Sequence, residues 1–453
     1  MQTYRARNPK KSPLWQCAHR HFAAFLDDYP EAYAPQMGAL RPGIPEVVHK
    51  FLDCGNLERG FARIRCDECQ HEYLLAFSCK SRWFCPSCHQ RKVQNSAAFI
   101  TSQVLAPVPH RHYVLALPKM LRPYFQRHRS LLKCLCTLAR ESITDYLRTA
   151  LDLPDGVPGI VMTIHTFGEY LDFHPHLHAL VADGLFDRDP SPEADGPPGV
   201  KFHLLPPLPI KPLEELFRAR VIQFLVAHQL LPPQRAKALQ SWKHSGFNVH
   251  AGDRVSPEAK ADLEQLAQYI LRNPFSVDKM TLESPGDIVI YRSRMNVKIQ
   301  RNFEVFTPTD FLAVITQHIP DKNTQMVRYY GFYSNKMRGC RHRALPAGAI
   351  LSSPPTRPGF SPPPPRRLPS KKWRDLIKQA WRADPLECPQ CNGPMRVIAV
   401  IDDHRVIEKI LRHLGLWCGP PDSPHLPSNS VDTWYYEPYD DGPMPNYENV
   451  LTD

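Results

Sequence analysis

Two histidines separated by one hydrophobe, His176-Leu177-His178, sit inside the run Phe-His-Pro-His-Leu-His-Ala-Leu-Val at 173–181. On a strand, side chains alternate between faces, so both imidazoles would point one way and Leu177 into a core. Two imidazoles on one face can hold a divalent metal ion. Far downstream comes Arg-Tyr-Tyr-Gly-Phe-Tyr-Ser-Asn at 328–335. A tyrosine hydroxyl can attack a phosphodiester that a metal polarises. A histidine pair followed by a tyrosine cluster is therefore a toolkit for cutting one strand of DNA.

The pair needs a third partner, and the neighbouring residues offer one. If 159–167 and 173–181 form an antiparallel hairpin around the polar link 168–172, His165 lies opposite His176. Three imidazoles would then leave open positions for phosphate oxygens and water. His112, His174 and Glu169 compete for the third place. Asp183 competes less well, because its odd parity puts it on the face opposite His176 and His178. With hard oxygen ligands completing the shell, Mg2+ or Mn2+ is the expected ion.

Tyr329 and Tyr333 are four residues apart and would share one face of a helix, with Tyr330 about 100° away. Gly331 inside the segment costs such a helix about 1 kcal/mol. An isolated Tyr-x-x-x-Tyr would be an aromatic stripe packed on a sheet. Here Arg328, Lys336, Arg338, Arg341 and Arg343 surround the rings, and such cations suit a phosphate backbone.

A second chemistry lies upstream. Cys66-x2-Cys69-x15-Cys85-x2-Cys88 has the spacing of a structural Zn2+ site closed by two Cys-x-x-Cys turns. Cys54, His71, Cys79 and His89 could substitute for a ligand or join a second site. Lys80 and Arg82 decorate the module beside Trp83 and Phe84, which suits DNA recognition unless the aromatics are core. Cys388-x-x-Cys391 is half a site that Cys418 or His413 could complete. Cys17, Cys134, Cys136 and Cys340 read as ordinary thiols.

The elements that must position these groups follow from periodicity. Residues 13–60 read as helical and 61–95 as the cysteine module. Then come a buried strand at 110–118, a helical pair at 121–151, and strands at 159–167 and 173–186. A Pro-rich, acidic insertion spans 187–212. Helices are expected at 212–230, 256–271 and 310–319, with short strands near 287–300. Residues 344–370 form a Pro-rich linker, and 373–418 read as helix, Cys-x-x-Cys turn, strand and helix. An acidic, Pro-rich tail begins at 419.

The chain has 453 residues, 42% hydrophobic and 22% charged, which suits a globular protein of several domains. A net charge of +11 and a pI near 9.0 favour a polyanionic partner. The N-terminus lacks the apolar core of a signal peptide, and no run approaches the roughly 18 apolar residues of a membrane helix. A cytoplasmic, nucleoid-associated protein with no membrane partner is expected. In that reducing compartment the 13 cysteines are metal ligands and core thiols.

The segments His-Pro-His-Leu-His-Ala-Leu-Val-Ala-Asp-Gly-Leu-Phe (174–186), Asp-Phe-Leu-Ala-Val-Ile-Thr-Gln-His-Ile-Pro (310–320) and Arg-Tyr-Tyr-Gly-Phe-Tyr-Ser-Asn-Lys-Met-Arg-Gly (328–339) resemble the rolling-circle transposases of the insertion-sequence-91 family. These belong to the wider His-hydrophobe-His endonucleases. The likeness runs from the cysteine module through Cys391. It implies an α+β fold, in which helices flank a compact antiparallel sheet carrying the His-hydrophobe-His core, with an N-terminal helical and zinc-binding domain and a small C-terminal domain. It implies metal-dependent nicking of single-stranded transposon ends through a 5′-phosphotyrosine, leaving a free 3′-hydroxyl. By position, Tyr329 maps to the nucleophile and Tyr333 to its partner, with His176 and His178 as metal ligands. The expected domains are 1–100 for DNA recognition, 101–343 for catalysis, a linker at 344–372 and a C-terminal domain at 373–453.

Two other functions fit part of this pattern. A plasmid replication initiator shares the chemistry, whereas most relaxases place the tyrosine before the histidines. No Gly-x-x-x-x-Gly-Lys-[Ser/Thr] loop indicates a fused helicase. A non-catalytic zinc protein that binds DNA would keep the histidines as core residues.

Overall fold

The computed structural model describes residues 9–187, 200–242, 246–283, 287–296, 300–344 and 384–417. The Pro-rich linker, the acidic tail, Cys418 and residues 188–199 of the expected insertion lie outside them. The strands in chain order are β1 (Phe61–Cys66), β2 (Glu72–Ala76), β3 (His110–Ala116), β4 (Gly159–Phe167), β5 (Phe173–Ala182), β6 (Gly184–Phe186) and β7 (Phe202–Leu204). They continue with β8 (Asn248–Val255), β9 (Met280–Glu283), β10 (Ile288–Asn296), β11 (Arg301–Phe306), β12 (Val327–Gly331) and β13 (Met395–Ile401). The helices are α1 (Pro13–Ala32), α2 (Ala34–Met37), α3 (Gly43–Leu52), α4 (Pro86–Phe99), α5 (Arg122–Arg127) and α6 (Leu131–Leu151). After them come α7 (Lys211–Ala227), α8 (Pro233–Ser241), α9 (Lys260–Ile270), α10 (Pro308–Thr316), α11 (Asn335–Ala344) and α12 (His404–His413). Helices and antiparallel sheets together make an α+β protein.

Among the described residues the chain divides into two units, one within residues 11–52 and 80–344, the other of residues 9–10, 53–79 and 384–417. This grouping differs from the continuous 1–100 domain expected above. The reason is strand pairing. β1 pairs with β2 on one edge and with β13 on the other, so a strand near the C-terminus belongs to the same sheet as the first cysteine turn. α12 packs its Ile407 and Leu411 against Phe61 in this smaller unit.

The larger unit is built on a five-stranded antiparallel sheet in the order β12-β4-β5-β3-β8. β4 is buried along its whole length, which explains its run of apolar residues without alternation. One face packs under α6 and α7, where Leu177, Ala179 and Val181 meet Leu135, Ile143, Phe217 and Val221. The other face carries Val161, Leu180 and Ala182 under Val93 and Ala97 of α4 and Ala267 and Ile270 of α9. By alternation His165, His176 and His178 stand on this second face.

Local chemistry fixes several element ends. Proline opens α4, α7, α8 and α10 at the first turn, where its missing N–H is not needed. The Thr307 hydroxyl accepts the Asp310 N–H at 3.1 Å and caps α10. Asp152 ends α6 in the left-handed conformation, with φ of 48°.

The tyrosine segment departs from expectation. Residues 327–331 form edge strand β12 rather than a helix, and a turn carries the chain to α11. Gly331 makes that turn possible, because its φ is +58° and a Cβ there would lie 1.9 Å from the Pro158 carbonyl oxygen. Tyr329 and Tyr333 therefore do not share a helical face. Among the described residues no helix is long and apolar enough to cross a membrane.

Candidate active site

The β4–β5 hairpin pairs His165 with His176 and Thr163 with His178, the register expected from the 168–172 link. His165, His176 and His178 each offer one ring nitrogen, and the three nitrogens lie within 4.8 Å of one another. All three rings are buried. Burial holds the imidazoles neutral, with His176 pulled down to about 4 and His165 and His178 lower than their ordinary range.

The remaining nitrogens show which atoms are left for an ion. His176 Nδ1 meets the His174 carbonyl at 2.8 Å, and His165 Nε2 meets the Ile270 carbonyl at 2.8 Å. Only a ring N–H can donate to a carbonyl, so His176 Nε2 and His165 Nδ1 keep their lone pairs. His165 Nδ1 is buried with no hydrogen-bond partner. His178 Nδ1 meets His112 Nε2 at 2.8 Å, leaving His178 Nε2 3.1 Å from His176 Nε2. A buried, unpartnered acceptor beside two inward ring nitrogens fits a divalent cation.

The competing ligands have other places. The His112 ring holds His178 from behind, and the His174 backbone carbonyl holds His176. Glu169 is exposed on the hairpin turn. Asp183 lies beyond the end of β5, fully buried, and takes both Arg111, at 3.1 and 3.2 Å, and Arg254.

Among the described residues one tyrosine touches these histidines, and no motif spacing marks it. Tyr269, in the last turn of α9, meets His178 and His112 edge-on, with ring centroids 5.5 and 5.9 Å away. It is 42% exposed. The Arg272 guanidinium lies 4.4 Å over its ring and 5.4 Å over Phe167. The last carbonyls of a helix lack intrahelical partners. Here Ile270 O is taken by His165 and Leu271 O by His89 Nε2, at 2.9 Å. The first bond docks the end of α9 on the histidine face, and the second ties it to α4. The available signal was an aromatic followed three residues later by arginine at the end of an amphipathic helix.

The expected tyrosines lie elsewhere. Tyr329 shares the histidine face but pairs opposite Val161, four residues along β4 from His165. At about 3.3 Å per residue that is roughly 13 Å along the sheet. Arg338 covers its ring at 5.2 Å, and burial pushes its phenol up to about 12. Tyr330 faces the opposite core. Tyr333 is 0% exposed, with its hydroxyl 2.7 Å from His110 Nε2 and accepting the Ala106 N–H at 3.3 Å. Of the cations expected on DNA, Lys80, Arg82 and Lys336 are exposed and Arg328 is half-buried. Arg338 also lies over Phe99, at 5.1 Å.

The cysteines regroup. Cys66 and Cys69 converge with Cys388 and Cys391, four sulfurs within 4.8 Å. Cys85 and Cys88 belong to the larger unit, where Cys85 immediately precedes α4 and Cys88 lies in its first turn. The expected set of Cys66, Cys69, Cys85 and Cys88 thus does not form one tetrad, because pairing of β1 with β13 supplies nearer partners. Trp83 and Phe84 are buried core residues rather than a surface for stacking bases.

Comparison with known proteins gives these features a setting. Residues 159–341 match the family model described as a putative transposase, and residues 19–117 match that of a transposase zinc-binding domain. The chain is 26% identical over 391 residues to the transposase for insertion sequence element IS801 of Pseudomonas savastanoi pv. phaseolicola, covering 82% of this chain and 87% of that protein. It is 23% identical over 387 residues to a putative transposase, y4qJ, of Sinorhizobium fredii, covering 83% and 94%. No solved structure matches significantly.

Proposed function

The chain belongs to the insertion-sequence-91 family of transposases, and on that footing we propose that it nicks and rejoins single-stranded transposon ends with Tyr269 as nucleophile. The observation that carries this reading is the edge contact of an exposed tyrosine with His178, one of three converging imidazoles. His165 Nδ1, His176 Nε2 and His178 Nε2 would hold Mg2+ or Mn2+. When bound, that ion supplies Lewis-acid polarisation of the scissile phosphate.

The protein's own groups do the rest. The Tyr269 phenol loses its proton, its oxygen bonds to phosphorus, and the bond from phosphorus to the 3′ oxygen breaks. The 3′ oxygen takes up a proton and leaves as a hydroxyl, while the 5′ phosphate stays on the tyrosine. Arg272 stands where it can pair with the phosphate as charge builds on its oxygens. His112 and His174 fix the orientations of His178 and His176. Rejoining reverses the same steps with an incoming 3′-hydroxyl.

This reading moves the nucleophile away from Tyr329 and Tyr333. The Tyr333 phenol, hydrogen-bonded inside the core, has no route to a phosphodiester, and Tyr329 stands roughly 13 Å along the sheet from His165. The test is a covalent-adduct assay with end-labelled single-stranded DNA and Mg2+ or Mn2+. Tyr269→Phe is expected to abolish the detergent-resistant adduct, while Tyr329→Phe and Tyr333→Phe retain it. An adduct that persists in Tyr269→Phe but vanishes in Tyr329→Phe would return the role to β12.

A further inference from the structure

We propose that Cys66, Cys69, Cys388 and Cys391 bind one Zn2+ as four thiolates, so that the late Cys-x-x-Cys completes a site begun near the N-terminus. Cys66 Sγ lies 3.5 Å from Cys391 Sγ, and Cys69 Sγ lies 3.4 Å from Cys388 Sγ. A tetrahedron of zinc–sulfur bonds of about 2.3 Å has edges of about 3.8 Å, so the sulfurs stand close to the required spacing. Disulfides would need about 2.05 Å within each pair.

The stronger argument is that the two cysteine turns are built alike. Cys66 N–H donates to the His71 carbonyl at 2.8 Å, and Cys388 N–H donates to the Gly393 carbonyl at 2.9 Å. The residue after the second cysteine is left-handed in both, Gln70 with φ of 61° and Asn392 with φ of 59°. That conformation is one that a side chain other than glycine rarely adopts. It turns the next backbone amide, His71 or Gly393, toward the second sulfur, Cys69 or Cys391. The Gln390 N–H reaches Cys388 Sγ at 3.5 Å. Backbone amides directed at the sulfurs are the donors that the surroundings of a metal-bound sulfur supply.

The backbone holds the turns face to face. Cys66 pairs with Met395 in the β1–β13 ladder, and the Asp67 N–H donates to the Pro394 carbonyl at 3.3 Å. The match to a transposase zinc-binding domain ends at residue 117, so it does not reach Cys388 or Cys391. The metal would therefore staple two distant parts of the chain into one module.

The test uses the full-length protein. In the zinc-loaded chain the exposed Cys69 and Cys391 should react with a maleimide at least about tenfold more slowly than exposed Cys340. A chelator should release zinc and expose all four cysteines together. Cys388→Ser/Cys391→Ser should lower zinc content by one equivalent. Cys66→Ser/Cys69→Ser should lower it by the same equivalent, and the quadruple variant by no more. Labelling of Cys391 at the rate of Cys340 before chelation would overturn the site, and so would full zinc content in Cys388→Ser/Cys391→Ser. The labelling arm needs no variant to fold, and neither arm depends on DNA cleavage.

Discussion

At the scale of single residues, the histidines and tyrosines differ in how far their types reveal their work. A histidine pair at alternate positions has one geometric meaning on a strand, so His176 and His178 share a face wherever the strand lies. A tyrosine has no such constraint. Tyr333 carries a hydroxyl fit for chemistry but uses it on His110 and Ala106, and its ring would clash with any Cβ at Gly159. Tyr333→Phe should leave adduct formation unchanged. It should lower stability by about 1–3 kcal/mol, because two buried groups lose a partner. Denaturant melts beside the adduct assay check this, and an adduct lost without a stability change would contradict it.

At the scale of elements, the candidate site depends on how α9 ends, and the placement of Tyr333 on how β12 ends. The carbonyls that α9 cannot satisfy internally are satisfied by His165 and His89, so one histidine both docks the helix and turns its lone pair toward the other two. β12 ends at Gly331, where any side chain would meet Pro158. Gly331→Ala should destabilise the larger unit by more than 1 kcal/mol, since it combines strained backbone with a steric clash. A thermal melt within a degree of the parent would show that the turn relaxes freely. The helix expected across 329–333 failed here for the same reason. The glycine that weakened it serves a strand-to-helix turn, and pairing with β4 overrides local spacing.

At the scale of the whole molecule, burial of neutral imidazoles sets a pH dependence. Burial pulls His89 and His110 down to about 4 and His318 to about 3 from an ordinary 6.5. His89 accepts the Trp83 N–H on one nitrogen and meets the Leu271 carbonyl with the other, so neither position is spare. His318 is likewise engaged by Thr166 and the Leu171 carbonyl. The unfolded chain takes up protons near pH 6.5, whereas the native state resists them until about pH 4. Stability is therefore complete above 6.5 and lost as pH falls from there toward 4. Below 6.5 the three groups together contribute a slope of up to about 4 kcal/mol per pH unit. Thermal melts between pH 7.5 and 5 should show a falling midpoint, and a flat profile would refute the assignment.

The sequence by itself determined what local rules can carry. Alternation put His176 and His178 on one face, and a five-residue link between two strands fixed His165 opposite His176. Cys-x-x-Cys spacing marked each cysteine turn. Tertiary structure alone decided which distant pieces meet. Nothing in spacing says that Cys66 and Cys69 face Cys388 and Cys391, because a strand pairing across more than 300 residues brings them together. Nor does spacing say that the tyrosine beside the histidines is Tyr269. That choice rests on where a helix C-terminus finds hydrogen-bond donors, and those donors, His165 on β4 and His89 on α4, stand elsewhere in the chain.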